Sequence, residues 1–306
     1  MTMGKIAVLG TASRAYGFLL GEFGTIFRLA WAPLLIGVAL SFFYGAQAID
    51  ATIAAGPNPD QARAMANAPV QFLIGCVSFA TSVMVSVALL RVVIFGDRKP
   101  GLFVYLWLGG AELRLIAVTL LLFIAAIAGG IAAALVFGAL VAASAVIPLM
   151  GVVTVIALFA FLLVLIWGAL RLSLIWPVVV AENNLGVERS WAITRGHVLA
   201  LLGVLIVVFI PYLVVSLTIY FVVMGGDMPG FPAFPDWTLK DAAAAKTAAE
   251  TFEQGMEHWN IDLLRATRKH WAELHVLEFI GGLISAALSA GALGSAYTAI
   301  VGERRE

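Results

Sequence analysis

Residues 115–171 read LIAVTLLLFIAAIAGGIAAALVFGALVAASAVIPLMGVVTVIALFAFLLVLIWGALR, with no charged side chain between Arg114 and Arg171. A helix rises 1.5 Å per residue, so about 20 apolar residues cross a hydrocarbon core about 30 Å thick. This stretch is long enough to cross twice, and Pro148, Met150 and Gly151 supply its dividing point. Two spans are therefore expected here, at 115–142 and 151–181. Working outward, further apolar runs occupy 29–48, 69–95, 198–225 and 274–301. The chain is 62% hydrophobic and only 12% charged, with a mean hydropathy of +1.02. A water-soluble fold carries about a quarter charged residues, so the composition places most side chains in lipid. The expected architecture is an all-α, polytopic transmembrane helical bundle of about six spans, forming a single membrane domain over 1–306.

Net charge is zero, which removes any bulk electrostatic argument for nucleic acid. Cys76 is the sole cysteine and lies in an apolar run, so it cannot form an internal disulfide and reads as a small hydrophobe. The N-terminus lacks a compact apolar core followed by small residues suited to cleavage, so it reads as retained. Over 12–30, Tyr16, Leu20, Phe23 and Phe27 fall at helical spacing, opposite Arg14, Gly21, Thr25 and Arg28. That pattern predicts an N-terminal amphipathic helix in the membrane interface, or else the first turns of a longer tilted span.

Twelve of the 18 basic residues fall in the N-terminus, the second and fourth connections and the C-terminus. The remaining six comprise Arg63 and five in the long fifth connection. By the positive-inside rule, both termini are expected in the cytoplasm of a bacterial inner membrane. The fifth connection, 226–273, is then the extracytoplasmic loop. Its opening GGDMPGFPAFPDW has three prolines that forbid regular helix. An alanine-rich helix follows, with Thr238 as its expected cap and Asn260 as the expected cap of another. Trp237, Trp259 and Trp271 suggest contact with the outer interface.

The second span ends Arg91-Val-Val-Ile-Phe-Gly-Asp-Arg-Lys99, and the last ends Tyr297-Thr-Ala-Ile-Val-Gly-Glu-Arg-Arg305. Either an internal duplication or convergence on basic cytoplasmic ends accounts for the echo.

The most distinctive segment is 171–197, RLSLIWPVVVAENNLGVERSWAITRGH. Pro177 loosens the helix, Glu182 to Gly186 supplies turn residues, and Val187 to Arg195 suits a short helix that Gly196 ends. Ser190 and Thr194 stack at i and i+4. Arg171 and Glu182 are expected on one helix face, about three turns apart. Two readings fit. Arg171, Arg189 and Arg195, with Glu182, Ser190 and Trp191, form a site for a lipid phosphate or a partner. Alternatively, the charges snorkel and fix helix orientation.

On Arg171, Pro177, Glu182, Gly186, Ser190, Trp191, Thr194, Arg195 and Gly196 the chain resembles the glycerophosphoryl diester phosphodiesterase membrane-domain family and its bacterial relatives. The resemblance implies the membrane fold and a membrane location. The soluble hydrolase domain often fused in that family has no counterpart in this sequence, so no catalytic residues carry over.

His258, His270, His275 and Glu278 cluster near the last span, and His275 and Glu278 are spaced to pair. Their spacing does not suit chelation, and no H-E-x-x-H, phosphate loop or nucleophile elbow occurs. No metal, cofactor or catalytic set is expected. The expected function is a non-enzymatic scaffold or partner in envelope or lipid homeostasis, in contact with membrane lipids and possible membrane-protein partners. The alternative is a transporter of a lipid or small amphiphile.

Overall fold

The computed structural model describes residues 6–55, 68–98, 103–144, 147, 149–235 and 242–302. The described residues form helices and connections with no strand. In chain order the helices are α1 (Val8–Gly21), α2 (Phe23–Leu40), α3 (Ala46–Ala55), α4 (Ala68–Phe95), α5 (Gly110–Ser144), α6 (Leu149–Leu172), α7 (Ile175–Glu182), α8 (Val187–Ile193), α9 (Val198–Met224), α10 (Ala242–Lys269) and α11 (Trp271–Gly302). A π-helical turn, Ser41–Gly45, joins α2 to α3.

Among the described residues, six helical segments are long and apolar enough to cross a membrane: Phe23–Ala54, Ala68–Phe95, Gly110–Ser144, Leu149–Glu182, Val198–Asp227 and Trp271–Gly302. They contain the six runs expected from the sequence, and the protein is a multi-pass, all-α membrane protein. The predicted division of the long apolar stretch also appears. α5 stops at Ser144, Ile147 N–H bonds back to the Ala143 carbonyl, and α6 starts at Leu149. Pro148 lies outside the described residues, as do Lys99, Trp237, Thr238 and residues 303–306.

The residues form two compact units. One comprises Met1–Ala30, Val83–Ile210 and Ser285–Glu306. Its interior holds Ala15, Ile26, Leu29, Leu89, Leu115, Leu174, Ile193 and Leu288, all almost fully buried. Small residues set the close approaches. A Cβ on Gly291 would stand 2.9 Å from the Ala15 Cα, and one on Gly294 would stand 2.7 Å from a Val93 methyl. The α1 backbone thus packs directly on α11, as small-residue interfaces permit in lipid. Tyr16 also donates to the Val208 carbonyl of α9 at 2.9 Å.

In the same unit, α5 and α6 form an apolar hairpin, with Phe137 edge-on to Phe161 at 5.5 Å. The most apolar 18-residue window of each of these two spans contains no buried residue.

The second unit comprises Trp31–Ser82 and Pro211–Ile284. Here the Trp271 indole donates to the Phe42 carbonyl in the π turn at 2.9 Å. His275 is buried and contacts Ser41 at 3.3 Å and Glu278 at 3.7 Å, the pairing its spacing predicted. Arg268 at the end of α10 forms a two-point pair with Asp50 of α3. Residues 228–235, with three prolines, are not helical.

Two expectations are corrected. The helix over 12–30 is interrupted at Glu22, so Phe23 and Phe27 belong to the first span. Leu20, Phe23 and Phe27 are exposed, as side chains turned to lipid would be, while α1 buries Thr11, Ala12 and Ala15 against its own unit. Asn260 is no cap, because α10 continues through it to Lys269. The echoed helix ends differ in geometry: Gly96 ends α4 with φ +69°, whereas Gly302 remains helical.

Gly291→Ala should destabilise the protein by about 1–3 kcal/mol, the usual range for overpacking a filled site. Gly138→Ala, where nothing lies within 4 Å, should be neutral or stabilising by up to about 1 kcal/mol through helix propensity. Unfolding by denaturing detergent in mixed micelles measures both. Equal effects would contradict the packing described.

Candidate functional site

The segment 171–197 folds as an elbow. α6 ends at Leu172 and α7 starts at Ile175. Pro177 is the third residue of α7, where its missing N–H costs no helical bond. Asn183 follows in the left-handed region (φ 60°), a usual helix-ending conformation for Asn. Gly186 has φ +74°, and a Cβ there would meet Val179, Val178 and the Ile175 carbonyl at 3.1–3.2 Å. Both the dihedral and the crowding require glycine. α8 then runs Val187–Ile193, and Gly196 turns the chain into α9 with φ +86°.

A carbonyl clasp holds the elbow. The Arg171 carbonyl is among the last four of α6, which a helix leaves without a helical donor. Ser190 Oγ and Thr194 Oγ1 each lie 3.0 Å from it, and both residues are fully buried. The i, i+4 stacking on α8 aims both hydroxyls at one oxygen. Thr194 also lies 2.7 Å from the Ser190 carbonyl, so its single proton divides between acceptors, whereas Ser190 is committed to Arg171.

The Arg171 side chain is buried between indoles. Its guanidinium carbon lies 4.6 Å from the Trp191 ring and 5.6 Å from Trp167. The two indoles meet edge to face at 5.1 Å. Cation–π contacts of this kind are worth about 2 kcal/mol when desolvated. Arg171 Nε has no hydrogen-bond partner among the described residues.

Glu182 does not share a helix face with Arg171, because α6 and α7 are separated at Ser173 and Leu174. Its carboxylate instead accepts Arg189 Nε at 2.9 and 3.1 Å and the Tyr297 hydroxyl at 3.0 Å. It thereby ties α7 to α8 and to the end of α11. Arg195 is exposed and contacts none of the other candidate residues through a hydrogen bond or ion pair. The six expected residues therefore divide into a clasp in which Arg171 and Ser190 are buried and Trp191 is part-exposed, an ion pair (Glu182, Arg189) and a separate outward cation.

Several neighbours escaped the sequence reading. Arg114 donates to the Asn183 side chain, joining the start of α5 to the elbow. Two residues before it, Glu112 is fully buried, accepting the Tyr105 hydroxyl and the Gly109 N–H, each at 3.0 Å. Burial, with the Glu112 charge, pushes the Tyr105 hydroxyl well above its ordinary range, so it stays a donor at physiological pH. Glu at the third helical position after Gly109 was a legible capping signal. Its burial was not. Further along this end of the unit, Arg98 chelates Glu22 at 2.6–3.1 Å, holding that carboxyl below the usual carboxylate range. This pair is exposed, so solvent screens it. No group of three or more metal-ligating side chains occurs among the described residues.

Ser190→Ala should destabilise the elbow by about 1–2 kcal/mol. Thr194→Val should cost less, since Ser190 still serves the Arg171 carbonyl. The double variant should exceed the sum, because it alone leaves that buried acceptor empty. Denaturation of the three variants gives the coupling, and strict additivity would contradict a shared acceptor.

No protein-family model matches the chain, and no curated protein or solved structure is significantly similar to it.

Proposed function

We propose that this protein is a non-enzymatic component of a bacterial inner membrane whose elbow lies in the cytoplasmic headgroup layer and engages anionic phospholipid. The carrying observation is the exposed Arg195 beside a rigid clasp, on the end of the unit where basic residues gather. Arg98 bonded to Glu22, Arg114 to Asn183 and Arg189 to Glu182 belong to that same end. Trp191 is 40% exposed, which suits the amphipathic boundary of a bilayer.

In this reading both termini are cytoplasmic, in keeping with the distribution of Lys and Arg. α1 lies near the same interface, with Leu9 and Leu20 turned outward. The resemblance of Ser190-Trp191 through Gly196 to the glycerophosphoryl diester phosphodiesterase membrane-domain family is part of the proposal, and it brings location and fold without hydrolysis. The protein acts as a scaffold or partner in lipid or envelope homeostasis. Buried Arg171 positions Trp191, while Arg195 meets the headgroup.

Each basic residue near an anionic surface contributes about 1 kcal/mol, so Arg195→Ala should reduce co-purified anionic phospholipid about fivefold. Native mass spectrometry of both proteins measures this, and unchanged lipid would count against the headgroup role. Single cysteines replacing Arg98 and Arg195 should react with an impermeant maleimide from the same side of the membrane. Labelling from opposite sides would overturn the orientation. Specific lipid flux in liposomes would favour a transporter over a scaffold.

A further inference from the structure

A cavity of about 390 Å³ lies within the first unit, between α4, the α6–α7 junction, α9 and α11. Its volume is in the range of ligand sites. Leu90, Trp176, Leu205 and Phe209 contribute apolar walls, and Ser86, Ser173 and Ser289 place three hydroxyls among them. Ser173 Oγ already donates to the Leu170 carbonyl at 2.8 Å. Ser86 and Ser289 make no side-chain hydrogen bond within the described residues. Their depth follows from helix geometry. Ser86, Leu205 and Ser289 stand about 10–20 Å in from the elbow-side ends of α4, α9 and α11, at 1.5 Å per residue. Helices of 27–32 residues overrun a hydrocarbon core of about 30 Å at each end, so that depth is the upper acyl region, just beneath the ester level of one leaflet.

An apolar space of this size left empty forfeits contacts on every wall. As an occupant, water could meet the three hydroxyls but would leave the apolar walls of Leu90, Trp176, Leu205 and Phe209 unsatisfied. The surrounding solvent supplies a better one. We propose that the cavity is a binding site for one acyl chain of a glycerophospholipid, with its ester carbonyl accepting from the Ser86 or Ser289 hydroxyl. The chain satisfies the apolar walls and the ester satisfies the hydroxyls, a pairing that plain hydrocarbon cannot provide. The site is independent of the headgroup reading of the elbow. It uses none of Arg171, Glu182, Arg189, Ser190, Trp191 or Arg195.

The test uses the full-length protein in phosphatidylethanolamine–phosphatidylglycerol vesicles containing phosphatidylglycerol with a mid-chain diazirine. After illumination, peptides are mapped by mass spectrometry. Crosslinks are expected in the segments holding Ser86, Leu205 and Ser289, at higher yield per residue than on the exposed α5–α6 hairpin, which reports ordinary lipid contact. Ser289→Leu and Leu205→Trp fill the cavity from two different helices, α11 and α9. Either should abolish the cavity crosslinks and leave those on the hairpin unchanged, and the second variant serves if the first does not fold. The double variant Ser86→Ala, Ser289→Ala should lower the cavity yield without touching the hairpin. Cavity crosslinks no stronger than those on the hairpin, or unaffected by both filling variants, would overturn the proposal.

Discussion

Hydrocarbon is the solvent for most of this chain, and the rest of the structure is a response to that constraint. The α5–α6 hairpin states it most directly. Its helices are the richest in uninterrupted apolar sequence, yet the most apolar window of each span has no buried residue. In water such a surface would collapse or aggregate. In lipid it carries no penalty, because acyl chains are as apolar as leucine. What lipid does penalise is an unpaired backbone polar group, so the crossing segments are helical and close their own hydrogen bonds.

The same constraint moves structural difficulty to places where helices end or pack. A terminal carbonyl near lipid needs a donor, and the elbow supplies two hydroxyls from α8 to the Arg171 carbonyl. The opposite problem, an unpaired N–H at the start of α5, is met by Glu112 reaching back to Gly109. Close packing without a hydrophobic drive between helices requires small residues. Gly291 and Gly294 serve there, the first bringing α1 against α11 and the second bringing α4 against it. The buried Arg171 belongs to this economy as well, since stacking between Trp167 and Trp191 gives its charge a polarisable environment. Outward cations such as Arg195 are then left to the headgroup layer, and the lipid phase itself supplies a ligand for the serine-lined cavity.

Much of this was legible because membrane crossing is a property of composition over about twenty residues. The six spans, the break near Pro148 and the non-helical proline segment at 228–235 all follow from local sequence. So does the i, i+4 pairing of Ser190 with Thr194. The misreadings arise where a local break, or a partner remote in sequence, overrides a local pattern. The stripe from Tyr16 to Phe27 has helical periodicity, but the interruption at Glu22 divides it, and the buried face is set by contacts with α9 and α11. Asn260 has capping character, yet nothing at that point stops α10. Glu182 was placed with Arg171 by counting along one helix, whereas Arg189 and Tyr297 draw it elsewhere. The π turn at Ser41–Gly45 had no local signature. Trp271 donating to the Phe42 carbonyl accounts for its geometry only once the fold brings them together.

The claim that acyl chains solvate the α5–α6 hairpin is tested most directly by site-directed spin labelling. With Cys76 replaced by serine, single cysteines along residues 126–140 would carry nitroxides in proteoliposomes. Their collision rates with oxygen and with a water-soluble nickel chelate would then be measured. The account predicts high oxygen and negligible nickel accessibility on every face except the one packed on α6 around Phe137, with immersion deepest near the helix centre. Strong nickel accessibility recurring along one face at helical period would mean that water, not lipid, bathes the hairpin, and would contradict it.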